Sequence, residues 1–261
     1  WNETLYDDNN NSDTSSTSIS GVTSCTDDGR ITAISLGNNN LQGSIPYEIG
    51  MISSLQSLFL QNNSLTGTIP SSIESLPRLQ LFWAFDNVLT GSVPLFASST
   101  KNGTSNTMLN SLDLSVNNLT GTLPRDYFTR LQNLTLLHLY SNQLNGTIPE
   151  FTSQNRRINK RLNNLALSEN NFYGTLPKSI GDLSQLQFLY LFDNKFTGTV
   201  PSSFSKLMSI ELLWINSNNL TGDVSFLCSL QSGVDFVFDC NKLSCNCTAS
   251  KICKCPPSPS F

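Results

Sequence analysis

The chain has 261 residues, long for one closed core but within reach of a stack of repeats in which each unit buries its apolar face only against its neighbours. Its 15 basic and 19 acidic residues leave a formal net charge of −4, with no run of Lys and Arg interleaved with aromatics to track phosphates, so nucleic acid is not an expected partner. No apolar stretch reaches the ~18 residues of a membrane helix, so no membrane span is expected within the chain, and Trp1 at the start reads as a mature or trimmed product.

Residues 1–30 read as an N-terminal cap with a polar arm. Asp7 to Ser20 is polar, and Gly21-Val22-Thr23-Ser24-Cys25 follows with no earlier cysteine. Cys25 therefore has three open fates: a partner upstream of Trp1, a free thiol, or a bond to another chain.

Residues 31–232 repeat. The set Leu55, Leu58, Leu60, Asn63, Leu65, Gly67, Ile69, Pro70 returns 24 residues later as Leu79, Phe82, Ala84, Asn87, Leu89, Gly91, Val93, Pro94. Six more copies begin at Ile31, Leu109, Leu134, Leu162, Leu186 and Ile210, and all eight carry Asn at the ninth position and Gly at the thirteenth. Leu-x-x-Leu-x-Leu predicts a short strand with its apolar side turned into the stack and its alternate side chains outward. The Asn column (Asn39, Asn63, Asn87, Asn117, Asn142, Asn170, Asn194, Asn218) is suited to satisfying backbone groups where the chain turns inward. Gly at the thirteenth position permits backbone that a Cβ would hinder, and the following Ile/Val/Leu-Pro favours extended chain.

The stretch Asn63-Ser64-Leu65-Thr66-Gly67-Thr68-Ile69-Pro70 resembles the plant-type extracellular leucine-rich-repeat family, which includes receptor-kinase ectodomains, receptor-like proteins and polygalacturonase-inhibiting proteins. The resemblance runs from Ile31 to near Ser232. It implies an α/β repeat fold: a right-handed leucine-rich-repeat solenoid with a concave parallel β-sheet, eight repeats plus a degenerate ninth, a second short strand near Gly-x-Ile-Pro, and short 3₁₀ or helical convex turns. The family's N-terminal cap usually carries paired cysteines, from which Cys25 departs.

Insertions lengthen the chain between Pro94 and Leu109 and between Pro149 and Leu162, both expected on the convex side. Arg156, Arg157, Lys160 and Arg161 in the second read as a solvated loop. Residues 233–255 read as a Cys-rich cap: Phe236, Phe238, Asn241 and Leu243 follow the template with Cys245 in the Gly position. Six cysteines crowd into the last stretch of the chain, Cys228, Cys240, Cys245, Cys247, Cys253 and Cys255, which points to disulfides, to an oxidising extracellular setting (secreted, cell surface or matrix), and away from zinc, whose common spacings are absent. Residues 256–261 form a Pro-rich tail. Acceptor motifs for N-linked glycans occur at Asn2, Asn10, Asn62, Asn102, Asn118, Asn133, Asn145, Asn219 and Asn246.

The outward strand positions carry an unusual load of rings. Phe59, Trp83 and Phe85 are expected to cluster, as are Tyr190, Phe192 and Trp214, with Tyr140 and Phe188 extending the surface. No concave position of the eight repeats is Lys or Arg, while Asp86, Asp113, Glu169, Asp193 and Glu211 are present. Phe59, Trp83, Phe85, Asp86, Tyr140, Phe188, Tyr190, Phe192, Asp193 and Trp214 are thus the candidate binding residues, for a protein, peptide or neutral glycan rather than a polyanion. His138 beside Asp113, with Ser115 or Ser141 nearby, evokes a hydrolytic triad, but no oxyanion hole is implied. Glu169 and Asp193 fall short of the oxygens Ca²⁺ needs. No catalytic residue, metal or cofactor is expected. The leading expectation is a non-catalytic recognition module. Assembly with further copies of itself into an extracellular fibre or wall layer is the alternative, and inhibition of a secreted wall-degrading enzyme the third.

Overall fold

The computed structural model describes residues 21–96, 108–151, 160–230 and 233–247, and the backbone of the strand Cys253–Lys254. Asn2, Asn10, Asn102, Arg156, Arg157, Cys255 and the 256–261 tail lie outside the described residues.

Each repeat lays down one short strand, and these join in sequence order into an 11-stranded sheet from Val22–Cys25 through Ile31–Ser35, Ser57–Phe59 and their successors to Asp235–Val237 and Cys253–Lys254. The first pair is antiparallel and the rest are parallel, so the terminal strand lies across an end that would otherwise expose core. The cap adds a strand beyond the template strand Asp235–Val237, since Cys253 pairs with Phe236. Register keeps equal positions adjacent: Leu58, Phe82, Leu112, Leu137, Leu165, Leu189 and Leu213 form one fully buried column. This is the inward side of the strand that the apolar period predicts.

Behind this sheet a six-stranded second sheet runs through the segments around the thirteenth-position glycines, from Thr90–Gly91 to Asn219–Leu220. Gly91 and Gly146 show why glycine is required there. Their φ values are +82° and +86°, and a Cβ on either would lie 2.8 Å from the Thr68 or Thr122 methyl of the preceding repeat. On the convex side Pro46, Pro70, Pro177 and Pro201 each precede a 3₁₀ turn, Tyr47–Met51, Ser71–Ser75, Lys178–Asp182 and Ser202–Lys206. The α-helix among the described residues is one turn, Tyr127–Arg130.

The Asn column forms the expected ladder. Asn142 Oδ1 accepts from the Leu119 amide of the preceding repeat at 2.9 Å, and its Nδ2 donates to the Leu114, Leu139 and Tyr140 carbonyls. Asp239 ends the series by accepting from the Ser217 and Asn218 amides. The eighth position, just before the Asn, is left-handed in every repeat, with φ between +50° and +58° at Asn38, Asn62, Asp86, Val116, Ser141, Glu169, Asp193 and Ser217. This is the bend that turns the chain off the concave face.

At the C-terminal cap Cys228 is bonded to Cys247. The sulfurs of Cys228, Cys245 and Cys247 lie within 4.8 Å of one another, but a sulfur in a disulfide is not the thiolate that a zinc ion requires. Cys25 is a free, exposed thiol on the terminal strand.

Candidate ligand-binding face

The concave sheet face encloses a groove of about 490 Å³. Trp83 and Phe85 stand at one end, Tyr190, Phe192 and Trp214 at the other, and Tyr140 borders the middle. The groove exists because three successive fifth positions between Trp83 and Tyr190 are small or polar: Asp113, His138 and Ala166. Four strand steps of about 4.8 Å separate the two rings, a span of roughly 19 Å along the sheet. Tall walls and a low floor therefore follow from side-chain size on a regular scaffold.

The far wall is a packed aromatic unit. The Trp214 ring lies 5.5 Å from Tyr190, edge to face, and 5.9 Å from Phe192. Burial holds the Tyr190 phenol above its ordinary range, and the Asp235 carboxylate adds to the effect, so the hydroxyl stays a proton donor. At the near wall Trp83 Nε1 donates to Ser111 Oγ at 2.9 Å. Its ring lies 4.9 Å from Phe59. Phe59 is correspondingly only 8% exposed, which corrects the expectation that it faces solvent. It supports Trp83 and lines a neighbouring hollow.

The floor is polar and under-bonded. His138 Nδ1 lies 3.0 Å from Asp113 Oδ2, whose other oxygen accepts from Ser115 Oγ at 2.6 Å and from the Ser115 amide. The other ring nitrogen, Nε2, is buried without a partner. Asn164, 2% exposed, keeps its Oδ1 unpartnered, and Trp214 Nε1 is likewise unmet. Neither serine considered for a triad serves the imidazole: Ser115 bonds Asp113, and Ser141 Oγ donates to Glu169 Oε2 at 2.5 Å. A hydrolytic triad needs the hydroxyl on the imidazole, so this arrangement is a hydrogen-bonded surface network.

Four stretches, 54–76, 108–129, 133–155 and 185–207, match the model of the Leucine Rich Repeat family. Solved plant receptor ectodomains superpose on most of the chain. The PEPR1–AtPEP1 complex has a TM-score of 0.72 at 32% identity, covering 84% of this chain and 30% of its own. The ectodomain of the Arabidopsis receptor kinase HAESA, in complex with an IDA peptide hormone, has a TM-score of 0.67 at 29% identity over 79% of this chain and 34% of its own. The chain is a leucine-rich-repeat solenoid similar to these plant receptor ectodomains. A probable leucine-rich-repeat receptor-like serine/threonine-protein kinase of Arabidopsis thaliana is 43% identical over 70 residues, 27% of this chain. The chain spans only 6% of that kinase and about a third of the two ectodomains.

Within this leucine-rich-repeat face, the groove gathers six of the ten candidate binding residues: Trp83, Phe85, Tyr140, Tyr190, Phe192 and Trp214. Asp86 and Asp193 sit exposed at the left-handed bend, and Phe188 is half-buried; none of the three lines the groove. Asn164, Ala166 and Ser168 were not candidates, although they make the floor. The signal that would have found them is the drop in side-chain size between two aromatic columns. Of the glycan acceptor sites described, Asn118, Asn145, Asn219 and Asn246 are exposed, while Asn62 and Asn133 are half-buried. Among the described residues no helix is long and apolar enough to cross a membrane.

Proposed function

We propose that this chain is an extracellular, non-catalytic recognition module that holds a peptide, or an extended segment of a protein, in the concave groove. The observation that carries the reading is the groove itself, with ring walls, a floor lined by Asp113, His138, Asn164 and Ser168, and no Lys or Arg among its lining residues. Ring-lined concave surfaces with a few placed polar groups are what ligand sites require. The similarity to the HAESA ectodomain, solved with a peptide hormone, supports the choice of a peptide. The glycan acceptor sites are proposed to carry N-linked sugars, and the remaining cap cysteines to be oxidised.

The test is to select linear hexapeptides from a random display library on the native chain, then measure the selected peptides on Trp83→Ala/Trp214→Ala. Folding of the variant is checked by circular dichroism. Affinity should fall at least a hundredfold, since two central aromatic anchors at about 2 kcal/mol each are removed. Undiminished binding to the folded double variant would refute the site.

A second reading, self-association, is favoured by one observation: Cys25 is exposed and free on the terminal strand of the sheet. A monomer in non-reducing sedimentation at micromolar concentration, with Cys25 fully titratable by a thiol reagent, would dispose of it.

A further inference from the structure

The concave face changes chemistry at Trp83. To one side of this ring lies the central groove, with the carboxylates of Asp113 and Glu169; to the other, toward the N-terminus, a second hollow of about 650 Å³ opens, and Trp83 is the residue that borders both. No charged side chain is among the residues that line the second hollow. It exists because outward positions of the first two repeats are small: Ala33 lies beside Ser57, and Ser35 beside Phe59. Thr23 and Ser24 on the terminal strand close the far end, three strand steps of about 4.8 Å, or roughly 14 Å, from the strand of Trp83. The polar groups in this hollow are idle. Among the described residues, the side chains of Thr23, Ser35, Gln56 and Ser57 enter no hydrogen bond, and they are open to solvent. Beyond Trp83 the hydroxyls of Ser111, Ser115 and Ser141 are each engaged by another side chain.

A hydroxyl both donates and accepts, and a carboxamide does so through its two ends. A hollow built from such groups selects its occupant by exclusion as well as by attraction. An ionised ligand would surrender water with no counter-charge to meet it. An aliphatic ligand would strip water from the hydroxyls and the amide and leave them unbonded. A neutral sugar avoids both costs, since each of its hydroxyls takes whichever role the facing group leaves, and its ring carries an apolar C–H face. Trp83 offers that face a fixed platform. Ser111 Oγ holds its Nε1 at 2.9 Å and the Phe59 ring packs against it at 4.9 Å, so the indole keeps its orientation and its polar atom is already used. We propose that this hollow is a second binding site, for a neutral oligosaccharide, with one sugar ring against Trp83 and the hydroxyls of the ligand bonded to Ser35, Gln56, Ser57 and Thr23. It goes beyond the peptide reading of the central groove and does not depend on it, because the two hollows have Trp83 alone in common.

The probes are cellotriose, mannotriose and trigalacturonate, titrated into the full chain and followed through the indole N–H resonances of Trp83 and Trp214. The two neutral trisaccharides separate the two sources of such a ligand, a wall polysaccharide and the glycan of a partner protein. At least one of them should shift the Trp83 signal saturably and leave Trp214, five strands further along the sheet, in place. Trigalacturonate, which has the same ring but carries charge, should bind at least about tenfold more weakly. Ser35→Phe, which fills the hollow two strands away from Trp83, should abolish the shift, and Ser57→Ala, which keeps its shape, should weaken binding severalfold; circular dichroism checks that both fold. No shift of Trp83 by either neutral trisaccharide up to its solubility, equal binding of trigalacturonate, or an undiminished shift in folded Ser35→Phe would overturn the proposal. Hexapeptides selected on the parent chain should still bind Ser35→Phe, so loss of the sugar site and loss of the peptide groove are read separately.

Discussion

Asn142→Ala tests the physical argument for the repeat at one side chain. The substitution deletes four hydrogen bonds, three from Nδ2 to the Leu114, Leu139 and Tyr140 carbonyls at 3.0, 3.2 and 3.2 Å and one from the Leu119 amide to Oδ1 at 2.9 Å. The three carbonyls keep other donors. Leu114 O retains Asn117 Nδ2, Leu139 O retains Asn170 Nδ2, and Tyr140 O retains the Val116 amide. The Leu119 amide, in a buried residue, loses its acceptor. The cost is therefore dominated by one orphaned donor, about 1–3 kcal/mol, plus a small void where an amide was packed, for a total of about 2–4 kcal/mol. Asn39 is the control, since it is exposed and its side chain donates to Gly37 O two residues away. Asn39→Ala should cost no more than about 0.5 kcal/mol. Thermal unfolding followed by circular dichroism should place Asn142→Ala roughly 4–16 °C below the parent at 2–4 °C per kcal/mol, with Asn39→Ala close to it. Equal losses for the two variants would refute the ladder as a source of stability.

Tyr127→Phe should stabilise the protein by about 1 kcal/mol, because the Tyr127 hydroxyl is buried with no partner. Burial, and then the Glu74 carboxylate, hold the phenol far above its ordinary range, so only the unfolded chain releases the proton once the pH passes about 10. This contribution to stability is complete below that pH and lost above it. Alkaline titration of the parent should show the loss, and the Phe variant should lack that component; identical alkaline curves would contradict the assignment. Val116 is a β-branched residue at φ +52°, in a column whose other members include Asn38, Asn62, Asp86 and Asp193. Val116→Asn should raise stability by about 1 kcal/mol in urea unfolding, and a destabilised variant would show that the left-handed bend is not strained there. Gly181→Ala should do the opposite, since its Cβ would clash with the Ser203 carbonyl oxygen where two convex turns touch. A loss of about 1–3 kcal/mol is expected, and an unchanged melting temperature would mean that the turns can part.

Most of the fold is legible in the sequence because the repeat is redundant. A single Leu says little, but eight Leu, Asn and Gly columns in step fix the strand, the ladder and the positive-φ turn together, and the structure shows all three. What the repeat does not encode is relief. Trp83, Tyr190 and Trp214 stand out to a reader looking for rings, but Asp113, His138, Ala166 and Asn164 matter because they are lower than their neighbours, and lowness is a property of the row. Phe59 shows the converse error: a ring at an outward position is not exposed when the next strand supplies a larger ring to cover it. The polar atoms follow the same logic. His138 and Asp113 read together as chemistry, yet Ser115 turns to the carboxylate and neither serine reaches the imidazole, so the pair is a hydrogen-bonded network rather than a base for a nucleophile. On a regular scaffold, specificity is written in the differences between equivalent positions.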